Sequence, residues 1–111
     1  MGVVFLRPYI GILLNYLLNK GFKISIFTAG SRDYAKGIVN IICDAIWNGE
    51  NHFTDTLNVQ HMTINMATDS KIKDFKPYGY SESNTLLVDN LPRNAASQPY
   101  NIIPVAPFEQ A

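Results

Sequence analysis

The chain has 111 residues, which is enough for one domain with a single core and too few for two. Hydrophobic residues make up 47% and charged residues 16%, a composition that indicates a packed globular protein and argues against disorder. Nine basic side chains balance nine acidic ones, so we expect no direct binding to nucleic acid, which selects a basic surface.

Two further features of the sequence bear on its compartment. The longest apolar stretches, around Ile10 to Leu18 and Ile38 to Ile46, fall short of the roughly 20 residues that cross a bilayer, so we expect no membrane partner. The single cysteine, Cys43, excludes an intrachain disulfide and favours a reducing environment. We therefore expect an intracellular protein, nuclear or cytoplasmic.

The first predicted elements are a strand and a helix. Gly2 to Leu6 is β-prone, and Arg7-Pro8 follows it, with the proline at a position suited to the first turn of a helix. A helix should therefore begin there. Its apolar residues recur at spacings of three and four up to Leu18, and Gly21 is a natural stop.

A second strand and a second helix follow. Phe22 to Ala29 alternates apolar and polar residues and is rich in β-branched and aromatic side chains, which predicts a strand. Ser31 is placed to cap a helix that should continue to about Trp47, where Asn48-Gly49 breaks it.

The second half predicts short strands between longer loops. Residues 50–60 hold turn formers, residues 61–67 alternate as a short strand does, and Ser70 to Gly79 predicts a loop or one helical turn. Asn84 to Asp89 has the continuous apolar run of a strand that is covered on both faces. A last short apolar stretch runs from Ile102 to Val105.

The order of these elements predicts an α/β layered fold with a largely parallel sheet. Ligands of such sheets bind beyond the carboxyl ends of the strands, which selects Thr28 to Ser31 and Asp89-Asn90. The threonine hydroxyl, the glycine and the helix start predict a phosphate cradle, although a threonine before a capped helix is also ordinary structure.

The oxygens of Asp89 and Asn90 suit Mg²⁺, although an Asx turn would use the same residues. Lys73 would hold a metal-bound phosphate, although a surface lysine is the plainer interpretation.

Several motifs together resemble the NLI-interacting-factor-like phosphatases, the RNA polymerase II C-terminal-domain phosphatase branch of the haloacid dehalogenase (HAD) superfamily. The matching positions are Arg7-Pro8, Phe27-Thr28-Ala29, Tyr34-Ala35, Lys73-Asp74 and "NTLLVDNLPRNAASQPYNIIPVAPF", in which Pro92, Pro99 and Pro104 fall as in the family. The resemblance covers nearly the whole chain, and its last third is the most specific part.

The resemblance implies a HAD-like Rossmannoid three-layer domain over residues 1–111 with a mostly parallel sheet. It also implies Mg²⁺-dependent hydrolysis of phosphoserine or phosphothreonine in a phosphoprotein or peptide, through a phospho-aspartate. In these roles Thr28 and Lys73 would bind the phosphoryl group, and Asp89 and Asn90 would position Mg²⁺. Mg²⁺ is the cofactor that the resemblance implies, and no further residues are assigned to cofactor binding.

The family's D-x-D-x-T motif is absent, because no two aspartates of this chain stand two residues apart. The domain is therefore expected to lack the nucleophile strand, which in this superfamily is the central strand of the sheet. Two interpretations stay open. A partner chain, a second copy or the segment Gly2 to Leu6 fills the vacant position, or the chain is an inactive pseudophosphatase that acts as a protein-binding or assembly module.

Overall fold

The computed structural model describes residues 6–106, and these divide into two compact units, residues 6–60 and residues 61–106. The strand predicted at Gly2 to Leu6 lies outside the described residues, apart from Leu6. Within the described range, no helix combines the length and the apolar character that crossing a membrane would need.

The first unit contains both helices. Helix α1 spans Ile10–Asn19 and helix α2 spans Arg32–Trp47. The prediction that α1 begins at Pro8 is wrong by two residues, because Tyr9 takes a left-handed conformation (φ 67°) and becomes the N-terminal cap. The cap of α2 is confirmed, since the Ser31 hydroxyl accepts a hydrogen bond from the Tyr34 N–H at 3.1 Å.

An apolar core holds the first unit together between its two helices. Each large aliphatic side chain that it buries stabilises the fold by about 1.5–3 kcal/mol. The indole N–H of Trp47 also donates to the Asn15 side-chain oxygen at 2.8 Å, which ties the end of α2 to the middle of α1. The buried members of this core are Leu14, Val39, Ile42, Cys43, Trp47 and Phe53.

The strands of the first unit are much shorter than the sequence predicts. Strand β1 spans Ile26–Phe27, inside the predicted strand 22–29, and pairs in parallel with strand β2, Thr56–Leu57. Strand β2 lies in the stretch 50–60, where no strand is predicted. The Thr28 N–H donates to the Leu57 carbonyl at 3.0 Å and so continues this ladder to the turn before α2.

The second unit contains two strand pairs. Strand β3, Thr63–Asn65, forms an antiparallel hairpin with strand β4, Ser70–Ile72. Strand β5, Leu87–Asp89, is parallel to strand β6, Ile102–Pro104, with Asp89 opposite Pro104. The connection from β5 to β6 carries a short 3₁₀ helix at Pro92–Ala95.

The described residues therefore confirm a small α/β protein in which two of the three strand pairs are parallel. The start of the predicted loop at 70–79 is a strand instead, because Ser70–Ile72 pairs with β3. The prediction that the strand at 84–89 is covered on both faces is wrong, since Leu86 and Val88 are 59% and 60% exposed.

The interior of the second unit is mostly polar. Its buried hydrophobic residues among those described are Ile72, Phe75 and Ala95. Its buried polar residues outnumber them, and they are Lys73, Asp89, Asn94, Gln98 and Asn101. The first four are linked by hydrogen bonds near the end of β5, whereas the Asn101 amide donates to the Glu82 and Thr85 carbonyls before that strand.

Candidate functional site

The first candidate position is the turn between β1 and α2. Thr28 is half-buried at the end of β1, and its hydroxyl oxygen accepts a hydrogen bond from the Gly30 N–H at 3.1 Å. This is a local threonine turn, the structural alternative that the sequence left open. The hydroxyl proton is not used by that bond, so Thr28 retains a donor for a phosphate oxygen.

The start of α2 presents a partly occupied set of backbone donors. The Tyr34 N–H is taken by the Ser31 cap, and Asp33 places an acidic side chain in the first turn. An acid at this position interacts favourably with the helix dipole and opposes a second anion. Thr28 and the backbone before Ser31 therefore make a weaker anion cradle than an uncapped helix start would.

The second candidate position is the end of β5, where Asp89 is 7% exposed. Its Oδ2 atom accepts from the Lys73 ammonium at 2.7 Å and from the Asn94 side-chain amide at 3.2 Å. Its Oδ1 atom accepts from the Leu91 N–H at 2.9 Å. The Leu91 bond is the Asx turn that was the structural alternative for this position, and the lysine and the amide add two more donors to the buried carboxylate.

Lys73 is buried rather than on the surface, with 8% of the residue exposed. It follows β4 directly, and its own N–H donates to the Asn94 carbonyl at 2.7 Å, which fixes the backbone beneath the side chain. Its ammonium and the Asp89 carboxylate form a buried ion pair sixteen residues apart in sequence. A lysine seldom becomes fully buried unless it is paired, and the pairing with Asp89 accounts for its burial, so Lys73 is not a surface lysine.

The charge state of Asp89 follows from these contacts. Burial acts to raise the pKa of Asp89, but the hydrogen bond from Lys73, the Leu91 N–H, the positive charge of Lys73 and the Asn94 amide outweigh it. The pKa of Asp89 is therefore lowered, and the residue is a carboxylate at neutral pH.

Two side-chain amides that the sequence interpretation did not single out support this pair. Asn94 bonds Asp89 with its side chain and Lys73 with its backbone carbonyl. Gln98 is fully buried, and its Nε2 donates to the Lys73 carbonyl at 2.8 Å. The only hint in the sequence is a cluster of amides among prolines in "LPRNAASQPYN".

A second lysine, Lys76, contacts the Gln98 side chain. The Lys76 ammonium contacts the Gln98 Oε1 at 3.4 Å and donates to the Ser97 carbonyl at 2.9 Å. The same ammonium lies 3.4 Å from an Asp74 carboxylate oxygen and 3.3 Å from one of Glu82. The segment after β4 and the segment before β6 are thus joined by polar contacts on both sides of the Lys73 backbone.

The metal ligands predicted from the sequence are only partly free to bind an ion. Asn90 is exposed next to Asp89, so its side-chain carbonyl oxygen is accessible to a metal ion. The Oδ1 atom of Asp89 has one hydrogen bond and keeps lone-pair capacity, whereas Oδ2 is engaged by Lys73 and Asn94. One carboxylate and one amide fit an ion such as Mg²⁺, which keeps most of its water ligands. Within residues 6–106, no group of three or more acidic, histidine or cysteine side chains is placed to hold a metal.

The structure thus brings Lys73, Asp89 and Asn90 together in the second unit. Thr28 belongs to the first unit, where it directly follows β1. Lys73 and Asp89 were predicted as separate phosphate and metal ligands, and here they are bonded to each other.

Known proteins with similar sequences belong to the phosphatase family that the sequence motifs resemble. Over 100 residues the chain is 32% identical to CTD small phosphatase-like protein 3 of Caenorhabditis elegans, a match that covers 90% of this chain and 32% of that protein. It is 30% identical over 119 residues to the putative CTD phosphatase-like protein 355R of Invertebrate iridescent virus 3, covering 95% of this chain and 61% of that protein. The chain thus spans about a third and about three fifths of these two relatives. The family model for NLI interacting factor-like phosphatase matches residues 1–111, and the chain belongs to that family.

Proposed function

We propose that this chain provides the phosphate-binding and metal-binding part of a protein serine/threonine phosphatase of the C-terminal-domain phosphatase type. The observation that carries the proposal is the buried ion pair of Lys73 and Asp89 at the carboxyl end of a parallel strand, in a chain of this phosphatase family. Ligands of parallel α/β sheets bind at that end. A phosphoserine or phosphothreonine in a protein or peptide is the substrate class.

In this proposal each candidate residue has one task. Lys73 would hold a non-bridging phosphoryl oxygen with its ammonium, and the Thr28 hydroxyl is a hydrogen-bond donor of the kind that a phosphate oxygen accepts. Asp89 through Oδ1 and Asn90 through its side-chain carbonyl oxygen would hold Mg²⁺, which would supply positive charge to neutralise the phosphoryl oxygens. Since the Asp89 charge is already balanced by Lys73, metal binding without phosphate should be weak, with a dissociation constant on the order of 1 mM or higher.

Hydrolysis in two steps requires a nucleophilic aspartate, which these 111 residues do not supply at the family spacing. A D-x-D-x-T strand would bring it. The carboxylate oxygen of its first aspartate attacks phosphorus while the bond to the serine or threonine oxygen breaks, and the second aspartate protonates that leaving oxygen. Water then attacks the phospho-aspartate, with the second aspartate accepting its proton, and releases inorganic phosphate.

The partner that completes the site would be an extended segment that adds to a strand edge. In the described residues β1 is bonded to β2 and β5 is bonded to β6, which accounts for one edge of each. An added strand would satisfy the backbone groups of a remaining edge. Such a segment belongs either to a longer polypeptide or to another chain.

A second candidate function is a pseudophosphatase that binds phosphoproteins without turnover. The missing aspartate pair favours it, because the residues that remain can bind a phosphoryl group but cannot attack it. The binding groups Thr28, Lys73 and Asn90 would serve this function unchanged.

Phosphate release from a phosphoserine peptide in the presence of Mg²⁺ distinguishes the two candidate functions. We expect no phosphate release by the chain alone, and release when a peptide of the family's D-x-D-x-T strand is added or fused at the N-terminus. EDTA, Asp89→Ala, or an asparagine in place of the first aspartate of that strand should abolish release. Asp44→Ala, which removes an exposed acid of α2 remote in sequence from these ligands, is the matched control.

Phosphopeptide binding provides the second readout, by titration calorimetry on the chain alone. Binding that Lys73→Met weakens at least tenfold, with no release even after the strand is added, would establish the pseudophosphatase. Neither release nor binding under any of these conditions would contradict both candidates.

A further inference from the structure

Helix α1 has an exposed apolar stripe that the proposed phosphatase site does not use. The N-terminal cap and three residues of the helix, at the spacing i, i+3, i+4 and i+7, form this outer stripe, and they are 79%, 70%, 51% and 58% exposed in chain order: Tyr9, Ile12, Leu13 and Tyr16. The opposite side of α1 faces the core, where Leu14 is buried and a Cβ on Gly11 would contact Ile46 at 3.6 Å. The helix is therefore apolar on both sides.

A helix at the surface of a soluble protein normally turns a polar side to water. Helix α1 contains no charged residue from Ile10 to Asn19, and the nearest cation, Lys20, lies over the Tyr16 ring at 5.6 Å from its centroid. A contiguous apolar patch of this kind marks a site of association. Because the stripe offers no charge, it selects an occupant that is apolar and uncharged.

The order of residues within the stripe points to a second copy of the same chain. Read in either direction, the stripe runs aromatic, aliphatic, aliphatic, aromatic, and its centre lies between Ile12 and Leu13. A two-fold axis at that centre, perpendicular to the helix, would lay each Tyr9 against the partner's Tyr16. The same axis would lay the aliphatic pair on its counterpart. A two-fold interface requires one surface to complement itself, and this sequence of side chains does.

The apolar area of the outer stripe indicates how strongly two copies of the chain would associate. With about 200 Å² for a fully exposed tyrosine and about 120 Å² of apolar area for an isoleucine or leucine, the stripe exposes on the order of 400 Å². Two copies would remove on the order of 800 Å² from water, below the range of permanent dimers and near that of weak, transient interfaces. We propose that the chain forms a weak two-fold homodimer through antiparallel contact of its α1 outer stripes, with a dissociation constant on the order of 10⁻⁵ M.

Sedimentation velocity on the full chain, from 2 to 500 μM, tests for the dimer. We expect the wild type to shift from monomer to dimer across this range, and Ile12→Glu to weaken association at least thirtyfold, because two buried carboxylates would face each other at the axis. Ile64→Glu makes the same change at a residue 56% exposed on β3 and should leave association unchanged. Circular dichroism shows whether each variant is folded.

Cysteine pairs test the orientation independently of any loss of stability. When Tyr9→Cys and Tyr16→Cys chains are mixed under mild oxidation, the antiparallel arrangement predicts disulfides between the two variants and few within either one. Cys43 is 3% exposed and burial raises the pKa of its thiol, so it does not compete. The proposal is overturned by a monomer at 500 μM, by a dimer that Ile12→Glu leaves intact, or by disulfides that form mainly between identical variants.

Discussion

Removing the positive charge from Lys73 should reveal how much the buried ion pair contributes to stability. In Lys73→Met the Asp89 carboxylate would stay buried, with side-chain exposure of 5% in the wild type, but would lose its charged partner at 2.7 Å. Breaking a buried pair by removing one partner typically costs 3–5 kcal/mol. Asp89 would keep its hydrogen bonds from Leu91 and Asn94, so we expect the lower end, about 3 kcal/mol.

Urea denaturation at pH 7 measures this cost, and a double-mutant cycle assigns it. Lys71→Met, at an exposed position of β4 two residues away, makes the same change outside the network and should cost less than about 0.5 kcal/mol. Combined with Asp89→Asn, Lys73→Met should cost less than the two single changes added together, by about 2 kcal/mol. Additive costs, or a Lys73→Met chain as stable as Lys71→Met, would refute the view that this pair organises the second unit.

Three further predictions follow from the contacts around the two candidate positions. Gln98→Leu should lower the free energy of unfolding by about 1–3 kcal/mol in urea titrations, because it removes the buried hydrogen bond to the Lys73 carbonyl and the bond from the Ser97 hydroxyl, while Lys36→Leu on exposed α2 surface should not. The lowered pKa of Asp89 means that its stabilisation is present above the unfolded pKa of about 3.9 and is lost as the pH falls through the folded value. Unfolding monitored from pH 7 to pH 2 should therefore show a flatter acid limb in Asp89→Asn, and equal slopes would contradict this account. Gly30→Ala should reduce thermal stability because the added Cβ meets the Tyr34 ring, and the second change Tyr34→Ala should restore most of the loss; a Gly30→Ala chain as stable as wild type would show that the ring yields freely.

The sequence predicts the helices well because their signals are local. The apolar spacing in α2, the Ser31 cap and the Asn48-Gly49 break lie within the segment that they shape, and the structure confirms each of them. Strands depend on partners elsewhere in the chain. The stretch 70–79 is mostly polar, so local composition predicts a loop, and its first three residues form a strand because β3 pairs with them.

The sequence predicts which residues belong to the candidate site, but it does not predict which of them are hydrogen-bonded to each other. An apolar stretch that ends in Asp89-Asn90 and a lysine sixteen residues earlier were visible in the sequence, whereas the bond between Lys73 and Asp89 was not. The supporting amides were missed because their partners are a backbone carbonyl 25 residues away and a carboxylate five residues away. Neither separation leaves a periodic pattern. Thr28 was found from its place before a helix, and its bond to Gly30 is the kind of contact that local sequence does predict.

The polar interior of the second unit determines how tightly the end of β5 is positioned. An apolar core is specified mainly by volume, so its side chains can be exchanged for others of similar size and repack. Hydrogen bonds are specified by direction and length, so the Asp89 carboxylate has one placement in which Lys73, Leu91 and Asn94 are all satisfied. The folding of this unit therefore pre-organises the Asp89 carboxylate. We expect its interior to accept substitutions that preserve the direction and length of these hydrogen bonds, and to reject substitutions that preserve only side-chain volume.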